Sequence, residues 1–139
     1  TQGVSSAASD VYKRQLDCIA LIRGMKDKLH GFSHITGGGI AENTARVIPR
    51  GLSAIYERNS WSLPIEMEFL ATIGKLQLAD VERAWNCGIG MTAIVDRDFA
   101  DLAIRSLAAR GMKAWACGEV KVSSDFNLKS ELIGTYRRN

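Results

Sequence analysis

From Leu16 onward the apolar positions fall into helical and strand-like spacings, broken by glycine and proline where turns belong. Leu16, Ile19, Ala20, Ile22 and Leu29 place most of their apolar bulk on one side, which predicts a helix ending near Lys26, Asp27 and Lys28. Residues 32–35 read as a short strand running into three glycines. Residues 40–47 fit a helix with Ala41, Glu42 and Ala45 as good formers, ended by Pro49 and Gly51. Residues 52–56 predict a second strand. Residues 61–64 form a turn that opens a helix through Ile65, Phe69 and Leu70, stopping at Gly74. Residues 78–85 predict another short helix, with Asp80, Glu82 and Arg83 solvated.

Asn86-Cys87-Gly88-Ile89-Gly90-Met91 then leads into a β run through Ile94 and Val95. Asp96 is placed to cap a helix over 97–110, with Phe99, Leu102, Ala103, Ser106 and Leu107 as its buried stripe and Gly111 at C′. Residues 113–120 read as a further strand. Strand, helix, strand over 89–120 implies parallel pairing through a right-handed crossover. The alternation of strands and helices predicts an α/β or α+β sandwich around one mixed sheet. Residues 1–15 differ. Ser5-Ser6-Ala7-Ala8-Ser9 is small and polar without apolar periodicity, which predicts a disordered or non-native leader before a domain over 16–139.

A chain of 139 residues matches one domain with one sizeable core. Its net charge of +3 is small, and its basic residues are scattered apart from Arg137-Arg138, so nucleic-acid binding gains little support. No apolar run approaches a membrane span, and no signal-peptide pattern is present. Cys18, Cys87 and Cys117 are odd in number and far apart. That speaks against a disulfide framework, against a metal site with His30 and His34, and for a reducing, cytoplasmic setting.

The chemistry concentrates in His34-Ile35-Thr36-Gly37-Gly38-Gly39-Ile40-Ala41-Glu42-Asn43. A glycine turn between strand and helix can aim several N–H groups and a helix dipole at one anion, a phosphate above all. It can equally be a tight connection without a ligand. It is neither a P-loop nor a dinucleotide fingerprint, since the required spacings are missing. His34 can donate to a phosphate or transfer a proton near neutral pH, or it can be a buried histidine bonded to a carbonyl. Thr36 can offer a hydroxyl to the same anion or simply favour the strand end. Glu42 and Asn43 can reach a ligand or complement the dipole, and Arg46 is spaced to pair with Glu42 on the surface. Asn86, Gly88 and Gly90 make a second glycine loop that can face the same cleft, or mark a bulge at a strand start. Trp61, Trp85 and Trp115 are not grouped for stacking and read as core or rim, and Cys87 has no adjacent base to activate it.

HITGGGIAENTARVIPRG, then Trp61 with Pro64, then WNCGIGM, then a closing CGEV together resemble the C-terminal domain of aminoimidazole ribonucleotide synthetases, the phosphoribosylformylglycinamidine cyclo-ligases. The match runs in order from about Leu16 to Val120. Related ATP-using families share the domain design but usually carry an acidic residue where His34 stands, and they lack the N-x-G-x-G-M loop. The resemblance implies an α+β fold, a three-layer α/β/α sandwich with a mixed sheet and a ferredoxin-like element. It implies a reaction in which ATP and Mg²⁺ activate the formamide oxygen of formylglycinamidine ribonucleotide. An internal nitrogen then closes the imidazole ring, releasing ADP and phosphate. Carried over by position, His34 is the catalytic candidate. Thr36, Gly37, Gly38, Gly39, Glu42, Asn43, Asn86, Gly88, Gly90 and Met91 are the substrate- or phosphate-binding candidates, with no metal ligand among them.

The sequence departs from the family at Ala84-Trp85, where threonine and phenylalanine are usual, and at Thr44-Ala45, where isoleucine and proline are usual. Neither change removes a polar group from the glycine turns. The family's N-terminal domain, with its metal- and ATP-binding motifs and its support for homodimerisation, is not in this sequence. The chain therefore reads as a fragment that is not a complete catalyst alone. The competing reading is a stand-alone phosphate- or nucleotide-binding module acting with a partner chain.

Overall fold

The computed structural model describes residues 2–125 and 127–137, with side chains from Arg14 onward. In chain order the elements are α1 (Gln2–Met25), β1 (Leu29–His34), α2 (Gly39–Ala45), β2 (Leu52–Glu57), α3 (Ile65–Ile73), α4 (Leu78–Ala84), β3 (Met91–Val95), α5 (Ala100–Ala108), β4 (Gly118–Val122) and β5 (Ser130–Ile133). Single 3₁₀ turns at Lys26–Lys28, Arg58–Ser60 and Arg97–Phe99 join some of them. The chain divides into two compact units, residues 1–30 with 95–115 and residues 31–94 with 116–139. Among the described residues no helix is long and apolar enough to cross a membrane.

In the first unit α1 packs on α5, with Leu21, Met25 and Ala103 buried. Asp17 is buried as well, and Arg110 Nε donates to its carboxylate, which compensates the charge. Residues 2–15 are helical, unlike the irregular leader expected from composition. Ala7, Ala8, Lys13, Arg14 and Gln15 are adequate helix formers, and extending a helix already nucleated downstream costs little. Asp96 is not the side-chain cap that its position predicts. Its carboxylate accepts from His30 Nε2 at 2.6 Å and faces Lys28 Nζ at 3.3 Å, and these partners, His30 first, hold its pKa below the usual carboxylate range. Of the predicted stripe on α5, Ala103 is buried but Leu102 is 42% exposed.

The second unit holds a three-stranded sheet in the order β4-β2-β5. β2 runs antiparallel to β4 and parallel to β5, so this sheet is mixed as expected. β1 and β3 form a separate two-stranded sheet. The predicted parallel crossover from β3 to the next strand is therefore overturned. Residues 112–117 carry no regular structure, and the strand begins only at Gly118. A Cβ there would lie 2.1 Å from the carbonyl oxygen of Ile55, so glycine is what lets β4 lie against β2. β5, only Ser-Glu-Leu-Ile, is too short and polar to carry a periodic signal. The buried side chains of this unit include Ile35, Ile40, Ile48, Ala54, Tyr56, Trp61, Val81, Cys87 and Ile89. α3 buries no residue and leaves Ile65, Phe69, Leu70 and Ile73 exposed.

α2 packs against α4 through Gly39, whose φ is +68°. A Cβ on Gly39 would lie 1.7 Å from the carbonyl oxygen of Glu82. Gly39→Ala is therefore expected to destabilise the protein by at least about 2 kcal/mol in denaturant titration, from the combined backbone strain and displaced helix. At Gly37 an added Cβ would meet nothing within 4 Å. Gly37→Ala should therefore be tolerated within about 0.5 kcal/mol. Equal losses for the two would contradict this assignment. In α1 the first described buried position is Asp17. Removing residues 1–15 is thus expected to leave Tm unchanged within about 1 °C, and a loss of several degrees would show that they pack.

Candidate functional site

β1 ends with side chains alternating between buried and exposed: Ser33 in, His34 out, Ile35 in. The buried-histidine reading of His34 is thereby excluded. Its ring stands at the surface beside the glycine turn and has no hydrogen-bond partner among the described residues. Gly38 and Gly39 follow with φ of +97° and +68°, two successive left-handed residues that only glycine adopts without strain. The Gly39 N–H is used inside the turn, donating to the Thr36 carbonyl at 3.1 Å.

Asn43, 4% exposed, clamps the turn from within α2. Its Nδ2 donates to the carbonyls of Gly39 at 2.7 Å, Gly37 at 3.2 Å and Thr36 at 3.3 Å. Its Oδ1 accepts from Thr36 Oγ1 at 3.4 Å and from Arg46 Nη1 at 3.3 Å. Asn43 and Thr36 thus shape the turn, and Arg46 serves that frame rather than the expected pairing with Glu42. The exposed Glu42 folds back over the turn, and a Cβ on Gly38 would come within 2.6 Å of its Oε2. There the carboxylate faces the positive end of α2.

The second loop is equally constrained. Asn86 Oδ1 accepts the Gly88 N–H at 3.0 Å, and the Asn86 carbonyl accepts the Ile89 N–H at 2.9 Å. Cys87 and Gly88 both have positive φ, +51° and +87°. For cysteine that conformation is costly, and surrounding contacts hold it. Trp61 Nε1 donates to the Cys87 carbonyl at 3.0 Å, and the Cys87 side chain is fully buried. Burial raises the thiol pKa, so Cys87 is neither exposed nor ionised enough to act as a nucleophile. The two loops meet directly, since the Ile35 N–H donates to the Gly90 carbonyl at 3.0 Å. Ile35, between His34 and Thr36, thus joins the first turn to Gly90 of the second loop, and the half-buried Met91 opens β3.

Three groups around this site have no local sequence signal. Glu82 on α4 takes a two-pronged contact from Arg58, Nε to Oε1 at 2.5 Å and Nη2 to Oε2 at 2.8 Å. Tyr136 OH also donates to Glu82 Oε1 at 2.9 Å, and its ring meets Trp61 edge-on at 5.2 Å. Burial first, then the nearby Cys87 and Glu82, push the phenol pKa upward, so Tyr136 remains a donor. Thr44 Oγ1 and Tyr56 OH are 2.8 Å apart, and Tyr56 donates onward to Thr92 at 3.3 Å, tying α2, β2 and β3 together. Trp61, expected only as core or rim, is core and also holds the second loop.

Among the described residues no three His, Cys, Asp or Glu side chains gather into a metal site. Glu42 is the carboxylate that lies on the turn. The first glycine turn has open space at Gly37, where an added Cβ would meet nothing within 4 Å.

Comparison with known proteins places this geometry in a family. The model of the AIR synthase related protein, C-terminal domain, matches residues 5–130. A Streptomyces fradiae protein, provisionally named a phosphoribosylformylglycinamidine cyclo-ligase, is 45% identical over 105 residues, covering 76% of this chain and 57% of its own length. The phosphoribosylformylglycinamidine cyclo-ligase of Pseudothermotoga lettingae is 38% identical over 96 residues, 69% of this chain and 28% of the relative. That of Cupriavidus pinatubonensis is 38% identical over 132 residues, 95% of this chain and 37% of the relative. The chain thus spans between about a quarter and somewhat over half the length of these relatives. On a match covering most of its residues, the chain belongs to the AIR synthase related family, in which it corresponds to the C-terminal domain.

Proposed function

We propose that this chain supplies the C-terminal part of a site that closes the imidazole ring of formylglycinamidine ribonucleotide to aminoimidazole ribonucleotide in purine biosynthesis, with ATP as co-substrate. The observation that carries the reading is the junction of the two glycine loops through Ile35 and Gly90, with His34 exposed at its edge. The names of the relatives agree with it.

In this reading the phosphate of the ribonucleotide, or the phosphoryl group in transfer, lies against the free main-chain donors of the first turn. Asn43 and Thr36 keep that turn in shape, and the Gly39 N–H is already used. His34 donates to the anion or moves a proton as the ring nitrogen attacks. The Asn86–Met91 loop forms the opposite wall. Glu42 must swing off Gly38 to admit an anion, or remain beside one whose charge a cation partly cancels. In this reading the Mg²⁺ of the reaction is held mainly by the N-terminal domain, as the family resemblance implies. The mixed sheet with its helices supports a three-layer α/β/α sandwich with a ferredoxin-like element. The same reading carries a cytoplasmic setting, in keeping with three free cysteines, and a homodimer built with the chain's own N-terminal domain.

The 139-residue chain assayed alone is expected to give no ATP-dependent turnover of formylglycinamidine ribonucleotide, whereas adding the N-terminal domain, fused or separate, restores it. Turnover by the chain alone would contradict this. In the restored enzyme, His34→Ala is expected to keep its circular dichroism and lose about 100-fold or more in turnover. Gly38→Val, which forces a β-branched residue to positive φ, is expected to lose activity with the sheet retained. Kinetics near wild type for both variants would reduce the turn to a structural connection.

A further inference from the structure

Among the described residues β4 is the outer strand of its sheet, and its main-chain pairing fixes which groups face outward. Its register with β2 runs from Leu52 opposite Val122 to Tyr56 opposite Gly118. The ladder is flanked by Glu57 N–H to the Cys117 carbonyl at 2.8 Å and Ser123 N–H to the Gly51 carbonyl at 2.9 Å. Bonded residues alternate along an antiparallel pair. Cys117, Glu119, Lys121 and Ser123 therefore direct their N–H and C=O groups to β2. Gly118, Val120 and Val122 direct theirs to the open edge. β2 keeps the same parity on its other side, where the Ala54 N–H donates to the Lys129 carbonyl at 3.0 Å.

An edge strand with outward-facing donors and acceptors is a template for another strand. Here the exposed side chains favour that use. Val122 is 87% exposed and Val120 36%, both β-branched residues suited to a paired strand. Glu119 and Lys121 flank Val120, and their side chains already touch within the strand at 2.6 Å. Read in the opposite direction, Glu119-Val120-Lys121 is its own charge complement.

We propose that β4 pairs antiparallel with β4 of a second copy of this chain, around a two-fold axis through Val120, to make one sheet continuous across both copies. Val120 lies opposite Val120, and Gly118 opposite Val122, as hydrogen-bonded pairs. Glu119 lies opposite Lys121 on both sides of the axis, in the non-bonded pairs whose side chains approach most closely. The register is specified by charge. Sliding the pairing one two-residue step one way sets Glu119 against Glu119, and the other way sets Lys121 against Lys121. A slip by one residue turns the bonding groups away from each other. A second copy supplies both the complementary charges and the matching parity.

The test is sedimentation equilibrium of the 139-residue chain from about 1 µM to about 1 mM, the span of weak to moderate association. A concentration-dependent dimer is expected, weakened by salt. Val120→Pro removes a donor on the open edge while sparing the β2 ladder, and is expected to give monomer with unchanged far-UV circular dichroism. Should proline disturb the strand, the charge series decides. Glu119→Lys and Lys121→Glu, each alone, are expected to raise the dimer dissociation constant about tenfold or more. The double variant Glu119→Lys with Lys121→Glu is expected to restore it. Ile73→Asp, on the exposed face of α3, serves as the control and is expected to leave the dimer intact. Monomer throughout the concentration range would overturn the proposal. So would a dimer indifferent to the charge series, a double variant that fails to recover, or a dimer abolished by Ile73→Asp.

Discussion

A Cβ on Gly39 would lie 1.7 Å from the carbonyl oxygen of Glu82, so α2 can approach α4 only with glycine at that point. Much of the site depends on this contact. It sets where α2 begins, hence where Asn43 stands, and Asn43 in turn gathers the carbonyls of Thr36, Gly37 and Gly39 into the turn. Glu82 is fixed on its other side by Arg58 and Tyr136, whose ring steadies the Trp61 that holds the second loop. The Arg58 and Glu82 side chains are 16% and 13% exposed, so removing either partner would leave a mostly buried charge uncompensated. The glycine turn is thus framed by contacts well outside its own sequence.

The three consecutive glycines answer to three different constraints. Gly37 has open space around it. Gly38 takes a left-handed conformation and lies beneath the Glu42 carboxylate. Gly39 combines a left-handed conformation with helix packing. Helix packing alone accounts for glycine at the third position, so no ligand is needed to explain it there. Positive φ at Cys87 belongs to the same economy of tight turns, stabilised there by a buried indole donor and a buried thiol.

Elements with strong local signals were legible from the chain. The strand–glycine–helix unit, β2, α3 ending before Gly74, α4 and β3 all lie within a few residues of their predicted places. The sequence left open whether the two glycine loops share a cleft or the second marks a bulge, and the Ile35 N–H to Gly90 carbonyl bond brings them together. Strand partnership was not legible. β3 follows the rule for a crossover only if the next strand joins its sheet, and Gly118 commits that strand to β2 instead. Asp96 has a capping residue's identity and position, yet His30 and Lys28, distant in sequence, claim its carboxylate. Arg58, Glu82 and Tyr136 are separated by too many residues for spacing to connect them. Side-chain alternation around His34 was the one signal able to separate its exposed and buried readings, and the flanking Ser33 and Ile35 carry it.

Under the proposed function both glycine loops contact one phosphate-bearing ligand. Amide chemical shifts during titration with formylglycinamidine ribonucleotide test it most directly. Shifts are expected to concentrate at Gly37, Gly38 and the Asn86–Gly90 loop, following a single dissociation constant, with Gly111 and Gly134 unmoved. Saturable binding that shifts amides elsewhere and leaves Gly37 and Gly38 in place would contradict it.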